Sequence, residues 1–416
     1  MTKSQHLCFF KHILFLSFII VLFAKPIIAT NAIDFKVYQI YASDKHERSL
    51  IASFGADIVE VNDNYVIAFV RKDQETLFDA FNVNYVDITE DFIDYFEDFP
   101  ADDNAYHSVH EVNEFLHETA ALNPEIAKVF SIGKSIEGND ILGIKISDNV
   151  NDEEFDEPAA LFLGTTHARE HLSTEVPLFL ARFLVEGYSK RDFHLKELID
   201  TREIFIFPVL NPDGKMYDIG EAGFSGTRNY QFWRKNRRKN SDASLGVDLN
   251  RNYDSNWGGQ GSSSSPSSDT YHGEAAFSEP ETAAIKDFIL AQKNISVCLS
   301  YHTFSKLILY PWGTSNDPIA DEKDLNAFKK IAAQMAQWTG YRPEQASDLY
   351  ITSGAMIDWL YADLGIFGFT FELDPASMWN GGFYPGDEII EEVFLKNINP
   401  ALYLIYLADD PRKAGD

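Results

Sequence analysis

Leu161-Phe162-Leu163-Gly164-Thr165-Thr166-His167-Ala168-Arg169-Glu170-His171 is a short apolar run that breaks at a glycine and then presents imidazole, guanidinium and carboxylate groups together. The apolar part reads as a buried strand, and open α/β sheets place ligands at the carboxyl ends of their strands. His167 and Glu170 are therefore candidate metal ligands, because imidazole and carboxylate are common first partners of Zn²⁺. A catalytic zinc takes three protein ligands and keeps a fourth position for water, so a third ligand must come from elsewhere in the chain.

With 11 histidines in 416 residues, roughly one His-x-x-Glu is expected by chance. The chain has a second, His194-Leu195-Lys196-Glu197, inside a charged amphipathic helix where the two side chains share a solvent-facing stripe. It reads as surface. The third ligand candidate is His302, in Leu299-Ser300-Tyr301-His302-Thr303-Phe304-Ser305, again at the end of an apolar strand.

Working outward, 45% hydrophobic and 24% charged residues suit a globular chain with a sizeable core, of one large or two smaller domains. A formal net charge of -29 argues against nucleic acid and against an anionic membrane surface as partners. Residues 1–32 read as an export signal: Lys3, Lys11 and His12 precede an apolar stretch from Ile13 to Ala24, with Ala29 and Ala32 as cleavage positions. Lys25 and Pro26 end that stretch short of the roughly 20 residues that span a bilayer, so no stable membrane anchor is expected after signal removal, and the chain is predicted to be secreted or extracytoplasmic. Cys8 leaves with the signal, and Cys298, in an apolar run, reads as a buried inert thiol.

The order of elements predicts two units. From 33 to 95, strands at Lys36 to Tyr41, Ile58 to Val61, Tyr65 to Val70 and Asn84 to Ile88 alternate with helices at Glu47 to Phe54 and Gln74 to Phe81. This βαββαβ order matches a small α+β ferredoxin-like unit. An acidic connector, 96–104, follows. From 105 to 410, helices from Ser108, Ser173 (a good cap), Glu281, Asp324 and Asp387 alternate with strands at 141–146, 159–163, 204–209, up to His302, 307–310 and 367–372, and Asn211-Pro212-Asp213-Gly214 reads as a turn. That alternation predicts an α/β fold with a mixed, mostly parallel sheet flanked by helices. The stretch 214–279 is polar and rich in Gly and Ser, yet it holds Tyr230, Trp233, Tyr253, Trp257 and Tyr271, so it is expected to be ordered and functional. His107, His110 and His117 read as solvated surface.

From about Ala105 to Leu407 the chain resembles the zinc metallocarboxypeptidases related to pancreatic carboxypeptidase A. The motifs occur in that family's order: HAREH, NPDG, Trp233-Arg234-Lys235, Gly246-Val247-Asp248-Leu249-Asn250-Arg251-Asn252, Ser264-Ser265-Pro266 through Tyr271-His272-Gly273, His302, Ser353-Gly354 with Ile357-Asp358-Trp359, and Thr370-Phe371-Glu372-Leu373. The resemblance implies one Zn²⁺ per chain on His167, Glu170 and His302, with Asp248 orienting His167. It implies Glu372 as general base, Arg234 as oxyanion stabiliser, and Asn250, Arg251 and Tyr350 as the clamp on a substrate's terminal carboxylate. Arg169 matches a contact further upstream on the peptide. The substrates implied are peptide or protein C-termini, and Ile357, at the position that reads the terminal side chain, implies an apolar or aromatic preference. Gln345 is a candidate to project into that pocket.

Departures from the pattern are Ser244 and Ser267, where the pancreatic enzymes have a disulfide, Phe304 where a tyrosine is usual, and Gln231 where an arginine is common. By order and position the unit at 33–95 resembles the family's activation segment, an intramolecular inhibitor until it is cleaved. No Lys or Arg lies between Lys72 and Lys128, so a trypsin-like protease does not suit its removal. Three other readings stay open. HAREH also fits an inverted zincin pattern with both histidines on one helix and Glu170 as base. The fold could carry a non-catalytic peptide-binding module, or act on cell-wall peptides.

Overall fold

A computed structural model describes residues 35–92, 105–219 and 230–415. The expected signal, residues 1–32, and the expected connector, 96–104, lie outside the described residues.

The first described elements are β1 (Lys36–Tyr41), α1 (Lys45–Ser53), β2 (Asp57–Val61), β3 (Tyr65–Val70), α2 (Lys72–Ala80) and β4 (Tyr85–Asp87). They form an antiparallel sheet in the order β2-β3-β1-β4. Both strands of the first half sit beside one of the second, which is the interleaving that the βαββαβ order predicts. Ile40, Val66 and Ala68 bury one face of the sheet against Ile51 and Ala52 of α1 and Phe78 of α2. Val37, Val59, Ile67 and Phe69 on the other face join the large core of the following unit.

That unit contains α3 (Val109–Leu122), β5 (Ala127–Lys134), β6 (Asp140–Ile146), β7 (Ala159–Leu163), α4 (Leu172–Ser189), α5 (Phe193–Ile199), β8 (Glu203–Phe207) and α6 (Pro212–Ile219). After the long loop come α7 (Pro280–Ala291), β9 (Ile295–Thr303), β10 (Leu307–Tyr310), α8 (Glu322–Thr339), β11 (Arg342–Gln345), α9 (Met356–Leu364), β12 (Phe367–Leu373) and α10 (Ile390–Leu407). The strands make one sheet, β11-β10-β12-β9-β7-β8-β6-β5, with β12, β9, β7 and β8 parallel at its centre, β8-β6 and β6-β5 antiparallel on one side, and β12-β10 antiparallel but the outermost β10-β11 pair parallel on the other. β7 is fully buried because helices cover both faces. Its Ala160 and Phe162 pack into one apolar cluster, and Ala159, Leu161 and Leu163 into the other.

Four elements were not anticipated, β5, β11, α6 and α9. β5 and β11 are edge strands, partly exposed on both faces, so neither has the alternation that marks a strand. β11 also contains Pro343, which only an edge tolerates. α9 is a short buried helix without a side-chain cap. Asn211-Pro212-Asp213-Gly214 is a helix start and not a turn. Pro212 opens α6, where its missing N–H costs nothing, and the Asn211 side chain accepts the Gly214 amide at 3.0 Å.

Candidate active site

The sheet register brings the site together. Leu163 at the end of β7 lies opposite Ser300 of β9, two residues before His302, and His302 lies beside Glu372 of β12. The chain leaves β7 through a tight loop. A side chain at Gly164 would meet the Ser173 carbonyl at 2.2 Å and the Pro208 carbonyl at 2.7 Å, so only glycine allows that approach. Ser173 does not cap α4 as expected. Its hydroxyl accepts the Thr165 amide at 3.0 Å and donates to the Glu170 carbonyl at 2.5 Å, bracing the loop 164–171 from inside, and His171 takes the position before the helix.

His167, Glu170 and His302 are all buried, and their ligand atoms converge within 4.8 Å of one another. His167 Nδ1 is 2.7 Å from Glu170 Oε1, and His302 Nδ1 is 2.9 Å from Glu170 Oε2 and 3.1 Å from His167 Nδ1. Two imidazole nitrogens and a carboxylate facing one point are a zinc donor set. The other nitrogen of His167, Nε2, is held by Asp248 at 3.1 Å, which turns Nδ1 towards that point. Burial pushes the Glu170 carboxyl up, but the two rings outweigh it and hold Glu170 well below the usual carboxylate range. For Asp248, burial is likewise outweighed, by Arg234, His167 and Arg251. These residues fit a zinc ion.

Glu372 lines the same cavity, a space of about 350 Å³. Burial pushes its carboxyl up to about 7, with Glu170 adding to the effect and His302, Arg234 and Arg251 opposing it. Arg234 Nε donates to Asp248 Oδ2 at 3.0 Å, which points its guanidinium over Glu170, 3.9 Å from Nη1. Asn250 accepts the Met356 amide with its side-chain oxygen at 3.0 Å, so its amide nitrogen is the end available to a ligand. Arg251 is fixed through Nε to the Gly261 carbonyl at 3.0 Å and through Nη1 to the Asn250 carbonyl at 2.8 Å. Tyr350 and Ile357 line the cavity with Asn250 and Arg251. Gln345 turns away, donating to the carbonyls of Ser315 and Asp317.

Arg169 lines the cavity too, but its partner comes from the first unit: Nη2 donates to Asp57 Oδ2 at 2.5 Å, with both groups buried. Asp57 also lies 3.8 Å from Arg234. Sequence reasoning missed Asp57, because the strand was expected to start only at Ile58 and a single aspartate before it carries no signal. His171 stands apart from the triad, paired through Nε2 with Asp218 at 2.8 Å, and α4 starts only at Leu172, so the inverted zincin arrangement is absent. His107 is not surface: it bonds the buried Glu175 at 2.7 Å. Where a disulfide is missing, the loop is held by buried polar contacts. Lys235 donates to the carbonyls of Pro266 and Ser268, and Arg238 pairs with Glu279.

Comparison with known proteins agrees with this geometry. Residues 112–399 match the family model described as zinc carboxypeptidase. The chain is 34% identical over 402 residues to a zinc carboxypeptidase of Saccharothrix mutabilis subsp. capreolus, covering 91% of this chain and 90% of that one. It is 35% identical over 300 residues to carboxypeptidase A2 of Rattus norvegicus, covering 70% and 68%. The crystal structure of carboxypeptidase A from Helicoverpa armigera superposes with a TM-score of 0.73 at 28% identity, covering 90% of this chain and 97% of that one. The chain belongs to the zinc carboxypeptidase family and is a zinc-dependent metallocarboxypeptidase. No helix among the described residues is long and apolar enough to cross a membrane.

Proposed function

We propose that this enzyme is exported as a zymogen and removes single residues from peptide and protein C-termini, preferring apolar or aromatic terminal side chains. The observation that carries the reading is the meeting of His167, Glu170 and His302 beside Glu372, in a cavity that Arg251 and Ile357 also line.

A zinc ion on these three residues would polarise the scissile carbonyl and lower the pKa of water. Glu372 takes a proton from the attacking water and passes it to the leaving amine as the C–N bond breaks. Arg234, immobilised by Asp248, faces the oxygen on which charge develops, and a fixed cation is most effective in a site shielded from water. Asn250, Arg251 and Tyr350 hold the terminal carboxylate, which makes the enzyme an exopeptidase. Arg169 is left for the peptide upstream. Ile357, with Thr352, Ala355 and Thr370, gives the terminal side chain a mainly apolar wall. Digesting a mixed peptide with and without chelator tests this. The reading expects release of Phe- or Leu-like C-termini that stops with chelator, and faster release of a terminal Lys than of Phe contradicts the preference.

Zymogen status has separate support. Ile58, Val59, Glu60, Val61 and Asn62 of the first unit line the cavity, and Asp57 occupies Arg169. The unit is anchored beyond the mouth as well, by Arg71 to Asp269 at 3.2 Å and by the Met378 amide to Glu60 at 2.8 Å. The family-model match ends well short of 90% of the chain, so the alignments at that coverage extend beyond it. An intact chain and a chain cleaved between 93 and 104 should differ in turnover, and equal rates contradict inhibition by this unit.

A further inference from the structure

On α6, Lys215 and Asp218 sit three residues apart, on one face, and both are fully buried. Buried charges of this kind persist only when paired. Here the pairing runs through His171. Lys215 Nζ is 3.0 Å from His171 Nδ1, and His171 Nε2 is 2.8 Å from Asp218 Oδ2. An ammonium only donates, so Nδ1 accepts and the ring proton on Nε2 faces Asp218. His171 thus bridges a cation and an anion while neighbouring Glu170 in the chain. Lys215 also donates to Thr174, at 3.0 Å, at the start of α4.

The other end of the network grips the segment that carries Arg234. Asp218 Oδ1 accepts the Trp233 amide at 2.6 Å and the Tyr384 hydroxyl at 3.0 Å, and the Asp218 backbone carbonyl accepts the Gln231 amide at 3.0 Å. On the far side, the Arg234 carbonyl accepts the Ala168 amide at 3.0 Å. The residue is therefore tied on one side to α6 and on the other to the loop that carries His167 and Glu170.

We propose that Asp218, held by His171 and Lys215, is a positioning unit for Arg234, fixing the backbone from which its guanidinium reaches the reacting carbonyl. This rests on the reading of Arg234 as oxyanion stabiliser. Displacing such a group by an ångström costs on the order of 100-fold in rate.

The test uses Asp218→Ala and Asp218→Asn, each alone and with Arg234→Ala, in the zinc-loaded full chain, cleaved at 93–104 where the intact form is silent. Zinc content and thermal unfolding are measured alongside turnover of a peptide with C-terminal Phe. Asp218→Ala is expected to lower kcat about 100-fold with little change in KM or zinc. Asp218→Asn keeps an oxygen for the Trp233 amide but turns its NH2 towards the His171 ring proton; it is expected to lose less than the alanine variant, to stay folded by thermal unfolding, and to lower kcat about tenfold. Neither should lower kcat further in the Arg234→Ala background. Equal losses in both backgrounds, or an unchanged kcat in Asp218→Asn, overturn the proposal, as does loss of zinc from that variant. Full activity in Arg234→Ala alone removes the underlying role of Arg234, which is a different failure from a full additional loss in the double variant.

Discussion

The chain contains His-x-x-Glu twice, and the two copies have opposite fates. His167 and Glu170 sit on a loop after a buried strand, where their side chains turn to the same point, 2.7 Å apart, under Asp248 and His302. His194 and Glu197 sit on α5 and are exposed, with the His194 amide serving only the Asp192 cap. Spacing alone does not distinguish them. What differs is the set of partners that each imidazole finds once folded: for His167 these are Asp248, 81 residues on, and His302, 135 residues on in β9.

Mutation of both pairs separates them. His167→Ala or Glu170→Ala should lower kcat/KM by at least about 1,000-fold with loss of zinc, since each removes a ligand. His194→Ala and Glu197→Ala should leave both within about twofold. Comparable losses from the two pairs would undo the distinction.

The same contrast between buried and exposed groups sharpens at the contact with the first unit. Asp57 and Arg169 form a buried pair, whereas Lys45 and Asp348 pair near solvent at 3.2 Å. If the first unit inhibits as proposed, Asp57→Ala leaves a buried guanidinium uncompensated in the intact form, a cost of about 3–5 kcal/mol, so the intact chain should gain activity by roughly 100- to 1,000-fold or more. Asp348→Ala should weaken the contact by less than about 1 kcal/mol and leave activity unchanged. Turnover of the intact variants decides, and equal gains would contradict the reading.

A smaller effect is expected at Glu281, buried at the start of α7, where burial pushes the carboxyl from 4.5 up to about 7. A carboxyl with a raised folded value stabilises the fold fully below the unfolded value of 4.5, and that contribution is lost as pH rises through 7. Denaturant unfolding should therefore show Glu281→Gln gaining on the parent chain by about 2 kcal/mol between pH 5 and pH 8. A difference independent of pH would contradict the assignment.

Much of this was legible before any coordinates. β1, β3, β7 and β10 have the limits that their patterns predict, because each is a short run of strand-forming residues broken at one or both ends by a polar residue, a glycine or a proline or, for β1, where its alternation stops. The metal triad was legible as well, His167 and Glu170 following an apolar strand, His302 near the end of one, and all three matching the family pattern. What was not legible depends on contacts distant in sequence. The edge strands β5 and β11 exist because a neighbour pairs with them, and Lys215, Asp218 and His171 look like ordinary polar residues until α6 packs against the loop 164–171. Asp57 shows its role only because the first unit lies over the cavity.

The most direct test of the central claim is the zinc content of the purified chain beside that of His302→Ala, with both confirmed as folded. One zinc per parent chain and almost none in the variant is the predicted result. A variant that keeps stoichiometric zinc would show that the ion is held without His302, and the site described here would be wrong.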